Sequence, residues 1–217
     1  MSLIDDPTTG CRVFVQHWLT AVESADVLRQ IDAALLPADS VLDENTPGKW
    51  QRRTVEVFGT KEQPRHVYLC GEADVKAYPY SGKLIFCNPW IPVVKVICDA
   101  INKCYGTHFN SCLLNQYVDG RHNVGWHSDD EKHLGDNGAV VTLSLGANRK
   151  FNLAPKAAGH SNGIDLSKKI SVVLTAGDIC YMGGNTQKYW KHQIPQELKQ
   201  KDRRVSLTFR QINFDGT

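Results

Sequence analysis

The sequence predicts a single, mainly β domain with helices on its outside, an α+β arrangement around a two-sheet jelly roll. Three observations predict it. From about Ser111 onward the chain breaks into short runs rich in β-branched and aromatic residues, SCLLNQYV, AVVTLSL, KFNLA, ISVVLT, DICYM and RVSLTFR, parted by glycine, proline and asparagine. Before Ser111 two segments carry helical spacing, so helices and strands do not alternate as a parallel α/β fold requires. The length of 217 residues, with 41% hydrophobic and 22% charged residues, suits one core and excludes a disordered chain.

The net charge of +2 supplies no global field toward nucleic acid or acidic membranes, so any polyanion contact must be local. No run nears the length of a membrane span, and the N-terminus lacks the basic-then-apolar layout of a secretion signal. An intracellular protein with no membrane partner is expected. The seven cysteines, odd in number and without a C-x-x-C pair, are expected to be reduced and mostly buried.

Thr20 and Glu23 fit a capping box, and Val27, Leu28, Ile31 and Leu35 recur at helical spacing until Pro37. A second helix is expected from Pro92 through Val93, Val94, Ile97 and Ile101 toward Gly106. Between them, Arg52 to His66 alternates like a strand up to Val57, meets Phe58-Gly59 and reads as a hairpin. Ala154 to Lys169 is polar and reads as a surface loop.

His127-Ser128-Asp129 is the sharpest local feature, because residues two apart in an extended segment point the same way and can grip one ion. Alone it is weak: eight histidines and 23 acids in 217 residues yield roughly one His-x-acid pair by chance. A third ligand is available in His192, placed by WKHQIP at a loop-to-strand junction. Two histidines and a carboxylate form the facial triad that selects Fe(II) for oxygen chemistry.

The C-terminal run Arg204-Val205-Ser206-Leu207-Thr208-Phe209-Arg210 alternates strictly between polar and apolar residues. As a strand it turns Arg204, Ser206, Thr208 and Arg210 to one face and Val205, Leu207 and Phe209 to the other. Two guanidinium groups in one space call for a dianion, and a small dicarboxylate fits, held at both ends with one end chelating the metal. Asn115 and Tyr117 share one face of another expected strand and can donate hydrogen bonds to that acid or serve the fold alone.

Together these residues resemble the AlkB family of Fe(II)- and 2-oxoglutarate-dependent nucleic-acid dealkylases. The resemblance runs from about Trp50 to Ile212 through NQYVDG, WHSDDE, VTLSLGANRKF, Gly177 to Gly184, His192 and RRVSLTFRQ. The earlier VFG, QPR, Tyr78-Pro79-Tyr80-Ser81-Gly82 and PWIPV look most like the eukaryotic branch that repairs alkylated DNA. It implies a double-stranded β-helix core, iron on His127, Asp129 and His192, and O₂ as oxidant. It further implies Arg204 on the distal carboxylate of 2-oxoglutarate, Arg210 supporting the chelating end, and Asn115, Tyr117, Ser206 and Thr208 completing the pocket. Ser206 departs from the pattern, standing where many relatives carry asparagine.

For substrate, the resemblance implies a flipped base between Tyr80 and the His127 ring, Tyr78 and Asp130 at its polar edge, and Phe58-Gly59 as a finger entering the duplex. The implied activity is oxidative demethylation of bases such as 1-methyladenine and 3-methylcytosine in DNA, by a monomer that is nuclear if eukaryotic. Alternatives are the same chemistry on RNA, on a protein or on a small molecule, or a catalytically silent nucleic-acid-binding module. The implied organisation is one dioxygenase domain: a helical extension over 1–49, a nucleotide-recognition region over 50–110 and a catalytic jelly roll over 111–212. Two windows, Lys49 to His66 and Lys188 to Arg204, carry local excesses of three and four positive charges and are expected to line a phosphate track.

Overall fold

The computed structural model describes residues 1–41, 46–57, 60–80, 83–134 and 138–213, with side chains for all of these except 53–57, 60–64, 79–80 and 83–84. Its strands are β1 (Ser2–Asp6), β2 (Cys11–His17), β3 (Gln51–Val57), β4 (Thr60–Gly71), β5 (Ala77–Tyr80), β6 (Lys83–Pro89) and β7 (Ser111–Tyr117). They continue as β8 (Val124–His127), β9 (Val140–Gly146), β10 (Arg149–Pro155), β11 (Ile170–Leu174), β12 (Asp178–Gly184), β13 (Trp190–Ile194) and β14 (Arg204–Arg210). Helices α1 (Ala21–Ala34) and α2 (Pro92–Tyr105) lie in the first half, and the single turn α3 (Thr186–Tyr189) joins β12 to β13.

The strands form two sheets. The larger runs β1-β2-β12-β9-β14-β7-β4-β6-β5, with β3 paired to β4, and the smaller runs β11-β10-β13-β8. Both expected helices are present, and the start of each and the end of α2 have a local cause. The Thr20 backbone N–H donates to Glu23 at 2.8 Å while Glu23 N–H donates back to the Thr20 hydroxyl at 3.3 Å. Pro92 opens α2, and Gly106 ends it in the left-handed region at φ 64°. Val94, Ile97, Cys98 and Ile101, one stripe at helical spacing, are buried with Val27 and Ile31 of α1 against the outer face of the larger sheet. A second core of Val13, Val15, Phe151, Leu153, Leu174, Met182 and Trp190 fills the space between the two sheets. Among the described residues, no helix is long and apolar enough to cross a membrane.

Several expectations need correction. The stretch 1–49 is not simply a helical extension: β1 and β2 precede α1, and β2 pairs with β12 along its whole length. Cys11, Val13 and Val15 are buried alternately with Arg12 and Gln16 outward, a period of two that the stronger helical signal beside it obscures. His192 lies inside β13 rather than at a junction. The charged windows are thinned by the fold, because Lys49, Arg65 and Arg204 are buried and Arg203 is paired with Asp32 at 2.5 Å. The hairpin is present as the paired β3 and β4, and Phe58 and Gly59 lie outside the described residues. The cysteines are free, and five of the seven are buried.

Leu207, fully buried on the helix-facing side of β14, should lose about 2–5 kcal/mol of stability as Leu207→Ala in urea denaturation. Val96→Ala, exposed on α2, should stay within about 0.5 kcal/mol. His66 is pushed down from 6.5 to about 4, by burial first and by His122 and Arg52 after it. The folded state therefore binds fewer protons, so this contribution is complete above pH 6.5 and is lost as pH falls toward 4. Across that window the wild type should lose stability relative to His66→Gln, and parallel pH profiles of the two proteins would contradict it.

Candidate functional site

The site is built on β14, which lies between β7 and β9 in the middle of the larger sheet. Its alternation places Val205, Leu207 and Phe209 in the helix-facing core and Arg204, Ser206, Thr208 and Arg210 on the face toward the smaller sheet. In register with it, β7 contributes Leu113, Asn115 and Tyr117, and β9 contributes Thr142, whose hydroxyl is 3.4 Å from that of Thr208. A pocket opens between the sheets, lined by Arg204, Ser206, Thr208, Arg210, Asn115, Tyr117 and Thr142 and by His127, Asp129 and His192 opposite.

The three expected ligands converge because two strands of the smaller sheet carry them in register. His127 of β8 and His192 of β13 are cross-strand partners with ring centroids 4.2 Å apart. Asp129 follows two residues after His127, and one ligand atom from each of the three falls within 4.8 Å of the others. The orientations are fixed from behind. His127 Nδ1 is 2.8 Å from the Gly125 carbonyl, which can only accept, so Nδ1 carries the proton and Nε2 is left with its lone pair. The Ser128 hydroxyl donates to the Trp190 carbonyl at 2.9 Å, and the Asp129 N–H donates to Gln187 Oε1 at 2.9 Å. Phe151 packs its ring 5.3 Å from that of His192.

Electrostatics keep all three ligands in their metal-binding forms. Burial would raise the Asp129 carboxyl, but the Arg210 guanidinium, followed by His192 and His127, brings it down to about 2. Arg210 Nη2 donates to Asp129 Oδ1 at 2.7 Å. Burial disfavours the Arg210 charge, yet Asp129 and then Tyr78 hold it above arginine's ordinary value. His192 is driven down to about 3, by burial first and then by His127. His127 is lowered as well, chiefly by burial. Both imidazoles are therefore neutral near pH 7, as metal ligation requires.

Several buried polar atoms of this pocket lack a hydrogen-bond partner among the described residues. Asp129 Oδ2 accepts no hydrogen bond and stands 3.8 Å from His192 Nε2. Arg204 donates through Nε to the Ser144 hydroxyl at 2.9 Å, but its Nη1 and Nη2 are buried without a hydrogen bond, as is Arg210 Nε. Buried groups in that condition are costly, and a buried guanidinium more so than an amide. A cation between the imidazoles and Asp129, with an anion reaching Arg204, would satisfy all of them. The donor set fits a ferrous ion with open positions, and the two-arginine wall fits a dicarboxylate.

The other expected residues divide. Tyr78 is buried beneath the Arg210 guanidinium, 5.5 Å from its ring centroid. Asp130 instead turns outward and pairs with Lys156 at 2.8 Å. Two carboxylates act on Tyr78, Asp129 first and then Glu131, which is itself raised above its ordinary value by burial and then by Asp129. The run Asp129-Asp130-Glu131 carried the signal, since residues two apart share a side and those adjacent do not. Phe58 and Gly59, and the side chain of Tyr80, lie outside the described residues. Sequence reasoning also missed Arg65, buried with its Nε donating to Asn115 Oδ1 at 2.7 Å, together with Thr142, Ser144 and Gln187.

Comparison with known proteins agrees with this geometry. Residues 12–210 match the family described as the 2OG-Fe(II) oxygenase superfamily. The chain is 36% identical over 186 residues to the alpha-ketoglutarate-dependent dioxygenase alkB homolog 3 of Rattus norvegicus, covering 83% of this chain and 62% of that one. It is 36% identical over 162 residues to the DNA oxidative demethylase ALKBH2 of Homo sapiens, covering 73% of this chain and 60% of that one. The chain thus spans only some three fifths of the length of these curated relatives. Among solved structures, OsALKBH1 superposes with a TM-score of 0.56 at 19% identity, over 93% of this chain and 98% of that one. An oxidoreductase of the 2OG-Fe(II) oxygenase family from Burkholderia pseudomallei also gives 0.56, at 15% identity over 96% of this chain and 87% of that one. With two sheets, a His-Asp-His cluster between them and a family match over most of its length, the chain belongs to the 2OG-Fe(II) oxygenase superfamily.

Proposed function

We infer that this chain demethylates N-alkylated bases by oxidation, using Fe(II), 2-oxoglutarate and O₂, with alkylated DNA as its substrate. The observation that carries the reading is Arg204, whose two unbonded guanidinium ends share one pocket with the metal-binding cluster. The choice of DNA draws on the relatives, one of which is named a DNA oxidative demethylase.

When bound, iron and 2-oxoglutarate supply the oxidising power: O₂ is reduced, one oxygen atom leaves in succinate as CO₂ is released, and the other is inserted into a methyl C–H bond. The hydroxymethyl base then loses formaldehyde and regains its N–H or lone pair. The residues of this chain perform the rest. His127, Asp129 and His192 would hold the metal. Arg204 takes the distal carboxylate of the diacid, with Ser144 fixing its Nε end. Arg210, anchored on Asp129, keeps positive charge next to the chelating end. Asn115, with its carbonyl oxygen engaged by Arg65, has its amide fixed at the pocket wall beside Tyr117, Ser206 and Thr208. Tyr78 and Glu131 take the part expected of Asp130: a carboxylate and a phenol beside the metal site favour the positive charge of 1-methyladenine or 3-methylcytosine.

Incubation with methylated oligonucleotides, Fe(II), ascorbate and 2-oxoglutarate should release formaldehyde and succinate in equal amounts, with DNA turned over faster than the same sequence in RNA. Faster release from RNA would move the substrate assignment, and no release from either would remove the demethylase reading. Asp129→Asn should lower Fe(II) affinity by at least about a hundredfold in equilibrium dialysis, since it removes a ligand itself rather than an outer partner. Retention of wild-type metal content in that variant would refute the ligand assignment.

A further inference from the structure

Arg149, at the start of β10, is a charged residue of the interior that the proposed chemistry does not use. Its side chain is fully buried. Nε donates to Glu197 Oε2 at 3.2 Å, Nη1 to the Asp119 carbonyl at 3.3 Å, and Nη2 to the carbonyls of His122 at 2.8 Å and Pro195 at 2.7 Å. Glu197 is itself held, accepting from the Lys150 N–H at 2.8 Å. The guanidinium therefore sits at the meeting point of two loops, one leaving β7 and one running from β13 to β14.

Those loops are also laced to each other. Gly120 N–H donates to the Gln200 carbonyl at 2.9 Å, and Glu197 N–H donates to the Gly120 carbonyl at 2.8 Å. The approach is so close that a Cβ on Gly120 would fall 1.8 Å from the Glu197 oxygen. A planar fork with four acceptors in a packed loop crossing has no freedom to swing, so its charge has a fixed address.

That address is the Tyr117 ring. Arg149 lies over it with Cζ 5.3 Å from the centroid, and Arg204 lies over it at 5.2 Å. Arg149 is anchored; Arg204 is the group with two unbonded ends in the pocket. The ring attracts both cations while the cations repel each other, and an anion arriving at Arg204 relieves that repulsion.

We propose that Arg149 is a positioning residue for the distal carboxylate of the diacid: it pins Tyr117 from the loop side, sets where Arg204 stands, and adds a second fixed positive charge behind it. The proposal depends on the co-substrate reading above and extends it to a residue outside the pocket wall. Its specific consequence is that Arg149 acts on one end of the ligand. A metal-chelating acid with no distal carboxylate should be indifferent to it.

The test is calorimetric titration of 2-oxoglutarate and, separately, of oxalate into the Mn(II)-loaded protein. Arg149→Met should weaken 2-oxoglutarate binding about tenfold and leave oxalate within about twofold. Arg149→Lys keeps the cation without the fork and guards against a Met variant that fails to fold. It should show a smaller loss, about threefold, again confined to 2-oxoglutarate. Equal losses for both acids would mean that Arg149 only supports the fold, and unchanged binding of both would mean that it has no part; either result overturns the proposal. Failure of the wild-type protein to bind 2-oxoglutarate while it binds oxalate would instead strike the co-substrate reading itself.

Discussion

The structure depends on keeping two arginines charged in the interior of a β sandwich. β14 is buried on both faces, so Arg204 and Arg210 are enclosed by strands on either side and by the smaller sheet in front. A guanidinium does not escape the desolvation cost by losing its proton, so each must find negative charge or acceptors. Arg210 finds Asp129, and the pairing does two things at once: it keeps the arginine satisfied and holds the carboxylate ionised where two neutral imidazoles meet it. Among the described residues Arg204 donates to the Ser144 hydroxyl and lies over the Tyr117 ring, while its Nη1 and Nη2 have no hydrogen-bond partner. The two arginines therefore differ: one charge is paired within the fold, and the other keeps two guanidinium nitrogens without a hydrogen bond, which the proposed diacid would take up.

The surrounding architecture supports that asymmetry. The two histidines of the cluster come from paired strands of the smaller sheet, so their separation is set by a backbone ladder. The carbonyl oxygens of Gly125, Trp190 and the Gln187 side chain then accept from the His127 ring, the Ser128 hydroxyl and the Asp129 N–H, which fixes this segment from outside the pocket. The helices pack on the far face of the larger sheet, with Leu207 and Phe209 on the reverse side of the strand that carries the arginines. The same alternation that builds the core therefore aims the site, and a register slip of one residue in β14 would exchange the two.

Much of this was legible in the sequence wherever a short-range pattern carried it. The strict alternation of RVSLTFR marked both faces of β14, the capping box and Pro92 marked the helix starts, and His-x-Asp marked two members of the buried cluster. Patterns shorter than a few residues, or masked by a stronger neighbour, were not legible. Cys11 to Val15 alternates over only three buried positions beside a well-capped helix. The partners of Arg65 and Arg149 are 50 and 27 to 48 positions away, and a charged residue in sequence gives no sign that it will be enclosed. The same limit explains the charged windows, where counting assigned to the surface side chains that the fold buries or pairs. Asp130 and Glu131 were separable by period alone, since the extended segment sends one outward to Lys156 and the other inward toward Tyr78.

The account stands or falls on a single arrangement, a metal and a diacid bridging the His-Asp-His cluster and Arg204. The most direct measurement is a crystal structure of the full chain grown without oxygen in the presence of Mn(II) and 2-oxoglutarate. The metal should be bonded to His127, Asp129 and His192, with the keto-acid end of the ligand on it and the distal carboxylate on the two free nitrogens of Arg204. A metal held by other residues, or a diacid that leaves Arg204 without a partner, would contradict the central claim.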